Sequence, residues 1–115
     1  MYKNLARELK KNTDVMEMTF KKFNLQVLQF TYRPYDEEDA DCYLVIEVAT
    51  ISGNKISRGG HIKVNLYDEN GEIIDTASAY IDEDEFGGYD TFRILICDEG
   101  RMLIEAKTAR IYMVE

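Results

Sequence analysis

One histidine, two cysteines and a set of acidic turns are the residues whose types could do chemistry in this chain. His61 would have to serve as the base of any Ser-His-Asp or Cys-His hydrolase. It follows Gly59 and Gly60 at the start of a β-type run, where an edge or surface role accounts for it. Cys42 and Cys97 are far apart, no Cys-x-x-Cys pair exists, and one histidine with two distant cysteines cannot complete a four-ligand zinc site without carboxylates. No Gly-rich loop of the phosphate-cradling kinds occurs either.

The acidic turns offer one metal alternative. If the strands from Phe23 onward run alternately up and down, then Asp36, Asp39 and Asp41, Asp68 and Glu69, and Asp98 all come from turns at the same end. Calcium takes about six to eight oxygens from carboxylates and loop carbonyls. Neither DENG (68–71) nor DEDEFGG (82–88) completes the EF-hand pattern, and the latter puts Phe86 where a ligand belongs. Solvated charged turns that keep sheet edges unpaired explain the same residues, so no metal or cofactor is expected. Acid/base catalysis would need two carboxyls in one cleft with their pKa values driven apart. The acidic clusters fall in predicted exposed turns, and Glu47, Asp75 and Glu105 are scattered. No catalytic residue is assigned, and the expectation is a non-enzymatic protein.

The elements that must position these residues are strands. In the stretch from His61 to Ile81, Ile62, Val64 and Leu66 alternate with Lys63 and Asn65, then a polar turn with Gly71 leads into a second β-type run. That is a hairpin. Leu44, Ile46 and Val48 alternate with Tyr43, Glu47 and Ala49, and Phe92, Ile94 and Ile96 oppose Arg93. The run from Val15 to Tyr32 reads as one long strand or two bent ones, with a parity slip near Lys21 and Lys22 that suggests a bulge. A last strand region runs from Met102 to Val114. Asn4 caps a short predicted helix through Lys11, which exists only if Leu5 and Leu9 dock on something. The parities of Cys42, with Leu44 and Ile46, and of Cys97, out of phase with Ile94 and Ile96, predict thiols on opposite sides unless a bulge intervenes.

The chain has 115 residues, 45% hydrophobic and 31% charged, with eight Tyr, five Phe and no Trp, which suits one folded domain with one core. About seven short strands predict an all-β fold, an antiparallel β-sandwich with a short N-terminal helix in a helical arm over residues 1–14; a small barrel is the rival closure. No apolar run is long enough for a membrane span or a signal-peptide core, so a soluble, cytoplasmic protein is expected if Met1 is the natural start. The net charge of −8 is divided: residues 1–35 hold seven Lys or Arg against three acids, a sum of +4, and the remainder sums to −12. An acidic body repels phosphates, so nucleic-acid binding is discounted. The basic segment either lies against the acidic sandwich or meets an acidic partner.

Val64, Leu66, Tyr67 and Asp68, then Gly71 and later Phe92, resemble the signature of the FxLYD domain, a bacterial immunoglobulin-like β-sandwich module. The resemblance covers roughly residues 42–114, with Val64 where the family has Phe and Phe86-Gly87-Gly88 in place of a Pro-Gly turn. It implies an immunoglobulin-like fold and brings no catalytic site. Tyr32, Tyr35, Tyr43, Val45, Tyr67, Tyr80, Tyr89 and Tyr112 are mostly out of phase with the core or in loops. Tyr suits contacts that leave one end wet, so the expected function is an interaction or structural module that binds protein or itself through an edge strand or an aromatic face.

Overall fold

The alternating segments do form strands, and they pair in two layers. The computed structural model describes residues 2–34, 41–97 and 100–115. In chain order the elements are α1 (Tyr2–Lys11), β1 (Thr13–Val15), α2 (Glu17–Lys21), β2 (Leu25–Pro34), β3 (Cys42–Thr50), β4 (Gly60–Tyr67), β5 (Ile73–Ile81), β6 (Tyr89–Cys97), α3 (Gly100–Glu105) and β7 (Thr108–Val114). One sheet has the order β1-β7-β4-β5 and the other β2-β3-β6. All pairings are antiparallel except β1 beside β7. The result is an all-β sandwich trimmed with short helices.

Strict alternation buries Cys42, Leu44, Ile46 and Val48 on β3 against Ile62, Val64 and Leu66 on β4, with Ile111 and Met113 of β7 and Ile94 and Ile96 of β6 alongside. The hairpin between β4 and β5 turns on Asp68, whose Oδ1 accepts from the backbone N–H groups of Asn70 and Glu72 at 2.9 and 3.0 Å. Gly71, at φ 76°, takes the left-handed position there that a Cβ disfavours.

The segment between β1 and β2 departs from the strand reading. Residues 17–21 form α2, and strand parity, which would put Met16, Met18 and Phe20 on one face, fails: Phe20 is fully buried while Met18 is 68% exposed. Phe20 and Phe23, three residues apart, both enter the core, which is helical spacing. Asn24 ends the turn at φ 64°. Its amide donates to the carbonyls of Ser52 and Lys55 at 2.8 and 2.9 Å, and its Oδ1 accepts from the Ser52 N–H, so it pins the loop between β3 and β4. The parity slip expected near Lys21 and Lys22 as a bulge is instead the end of α2, and a separate bulge lies between Val27 and Gln29, which leaves Leu28 half-exposed and returns Phe30 and Tyr32 to the core side. The expected strand from Met102 onward is likewise shorter: Gly100–Glu105 is helical, and β7 starts at Thr108.

Helix α1 fits beside β2 and docks through Leu9 and Ala6, 1% and 3% exposed. Thr13 ties this seam together, its Oγ1 donating to the Leu9 carbonyl at 2.6 Å and bonding the Tyr32 hydroxyl at 2.8 Å. Tyr32 is therefore a core residue and not one of the wet tyrosines. Among the described residues no helix is long and apolar enough to cross a membrane.

Candidate functional site

The helices α1 and α2 pack beside β2, and the outer face of β1-β7-β4-β5 carries a connected group of aromatic and polar side chains. Residues opposite each other in antiparallel strands share a face. The register sets His61 between Tyr80 and Val114, Lys63 between Ser78 and Tyr112, Asn65 between Thr76 and Arg110, and Tyr67 between Ile73 and Thr108. The central side chains are half-buried by their neighbours while Tyr80 is 57% exposed.

Hydrogen bonds and ring contacts hold this face in place. The Tyr112 hydroxyl donates to Asn65 Oδ1 at 3.1 Å, and Asn65 Nδ2 donates to the Tyr67 hydroxyl at 3.3 Å. The Arg110 guanidinium lies over the Tyr67 ring, 5.5 Å from its centroid, and reaches Asp14 of β1 at 3.8 Å. His61 packs on Tyr80 with ring centroids 5.0 Å apart and planes inclined by 53°. A fixed amide flanked by two hydroxyls, with two cations and four rings nearby, can bind a partner by hydrogen bonds and stacking. It holds no nucleophile paired with a base.

The residues weighed for other chemistry are distributed differently. Asp36, Asp39, Asp98 and Tyr35 lie outside the described residues. Asp68 is engaged in its turn, and with Glu69 it borders a groove of about 310 Å³ whose other wall includes Ile104 and Lys107. Among the described residues no three His, Cys, Asp or Glu side chains gather as a metal site would require, and Asp41 joins none. Of the remaining tyrosines, Tyr43 lies beneath the Arg93 guanidinium on the outer face of the other sheet, and Tyr89 is 55% exposed on β6.

A register shift between Cys42 and Tyr43 sets the backbone of Cys97 opposite that of Cys42, and the expected facing of the Cys97 thiol lies outside what the structure describes. Cys42 is a free, buried thiol, and burial pushes its pKa from 9.0 up to about 12 by stripping water from the thiolate. The unfolded chain loses this proton above pH 9.0 while the folded chain keeps it to about 12, so folding stability falls across that window. The expected slope is up to about 1.4 kcal/mol per pH unit. Urea unfolding of wild type and Cys42→Ala across that range checks it: the variant should lose less stability, and parallel pH dependences would contradict it.

Lys63, Asn65 and Arg110 were not singled out from the sequence as site residues. Alternation in β4 does signal that Lys63 and Asn65 face outward, but the placing of Arg110 and Tyr112 beside them comes from the pairing of β4 with β7, more than 40 residues apart, which no local pattern encodes. No family model, curated protein or solved structure matches the chain.

Proposed function

We propose that this protein is a non-catalytic β-sandwich interaction module that binds protein, or a second copy of itself, through the outer face of β5, β4 and β7. The observation that carries the reading is the tethered group on that face, where Asn65 is held by Tyr67 and Tyr112 beside Arg110 and His61 stands on Tyr80. Tyr supplies a large contact area with few rotamers to freeze, Arg adds a planar group with several donors, and both are enriched among the residues that dominate protein contacts.

The immunoglobulin-like reading is supported by connectivity. The order β2-β3-β6 against β5-β4-β7 follows the A-B-E and C′-C-F pairings of such sandwiches, with β1 running parallel to β7 where a last strand would lie. The FxLYD resemblance is also structural in kind: Val64 and Leu66 fill the core, Asp68 and Gly71 shape the turn, and Phe92 packs against the core from β6.

Light scattering over a wide concentration range tests the self-binding form. A rise in mass that the exposed-face variant Tyr80→Ala with Arg110→Ala abolishes is the expected result; a one-chain mass throughout removes self-association. Loss of the monomer's folded signal in that variant would instead show the face to be structural.

A further inference from the structure

Three cations meet at the seam between α1 and β2. Lys3 and Arg7 lie one helical turn apart on α1, Arg33 stands near the end of β2, and with Ala6, Tyr32 and Pro34 they line a groove of about 210 Å³. All three cations are exposed, and among the described residues none has an ion-pair partner, whereas Lys11 reaches Glu8, Arg58 reaches Glu115 and Arg110 reaches Asp14. The first turn of α1 has no acidic residue and holds Lys3 against the positive end of the helix dipole. Among the described residues, positive charge accumulates here with no paired carboxylate.

The wall beneath these charges is fixed. Ala6 is buried on the sandwich and Tyr32 is held by its bond to Thr13, so the groove exists without a ligand to shape it. Guanidinium groups match carboxylates through paired hydrogen bonds, and Ala6, Tyr32 and Pro34 offer apolar surface between them. The chain as a whole carries −8, which opposes long polyanions at a distance, and three cations are a small footprint for a phosphate backbone. A short ligand with two or three carboxylates suits that balance.

We propose that the groove formed by Lys3, Arg7 and Arg33 docks an acidic segment of a partner protein, a short Asp/Glu-rich stretch with an apolar side chain for the Ala6–Tyr32–Pro34 wall. This goes beyond the tyrosine-face reading: it concerns a different surface, and either fails without the other.

The test is fluorescence anisotropy with a labelled Asp/Glu-rich peptide containing one Leu, against the full chain. Saturable binding is expected, weakened as salt rises from about 0.01 M to about 0.15 M and the screening length shrinks from roughly 30 to 8 Å. Arg7→Glu with Arg33→Glu should weaken it by about tenfold or more, because each reversal replaces attraction with repulsion. Lys55→Glu, an exposed cation in the loop between β3 and β4 at the opposite end of β2 from Arg33, should leave it unchanged. If the double reversal does not fold, the triple neutralisation Lys3→Gln, Arg7→Gln and Arg33→Gln is read instead, with the same direction of effect. Absence of saturable binding, equal loss in Lys55→Glu, or equal affinity for a single-stranded oligonucleotide would overturn the proposal.

Discussion

Replacing Phe20 with alanine is expected to remove about 3–5 kcal/mol of folding stability, the range for emptying a large aromatic site that cannot collapse. Phe20 is fully buried and is the residue by which α2 enters the core between β2 and β7. Its neighbour supplies the control: Met18→Ala, at a side chain 68% exposed, should stay within about 0.5 kcal/mol of wild type. The pair distinguishes two local structures. A strand would put Met18 and Phe20 on one face and make the two substitutions comparable, whereas the helical turn separates them. Urea unfolding of both variants decides it, and comparable losses would refute the α2 assignment.

Leu9→Ala is the second large effect, about 2–5 kcal/mol. Helix α1 has ten residues, too few to persist alone in water, so its existence depends on the apolar contact made by Leu9, Ala6 and, in part, Leu5. Losing that contact should also loosen the seam at Thr13, whose hydroxyl joins the Leu9 carbonyl to Tyr32. Urea unfolding gives the loss, and amide exchange through residues 2–11 should accelerate with it. An unchanged midpoint would mean that α1 is a detachable arm, and the cationic groove would lose its fixed wall.

The two predictions bear on how differently the elements could be read. β3 and β4 were legible because Leu44, Ile46 and Val48, and Ile62, Val64 and Leu66, alternate without a break in strands that have one core face and one wet face. The turn at Asp68 and Gly71 was legible for a similarly local reason, since both residues act on their own backbone. Met16 to Phe20 misled because a single helical turn and a short strand can show the same apolar residues, and what separates them is the space between β2 and β7 that Phe20 fills. Tyr32 misled because the bulge at Leu28 shifts parity downstream. Of the candidate site, the outward facing of Lys63 and Asn65 and of Tyr67, Tyr80 and Tyr112 could be read, but not their grouping.

Alternation, turn residues and charge are properties of neighbours along the chain, and by themselves they determined that this protein is a β structure with acidic turns and a helix that must dock, while closure as two layers came from the structure. Tertiary structure alone decided which strands lie side by side, where a bulge reverses facing, that Cys97 comes opposite Cys42, and that Lys3, Arg7 and Arg33 share a groove. The reason is that pairing depends on how whole faces close over a common core. Residues far apart in sequence become neighbours through that closure, and a partner would read their combined surface.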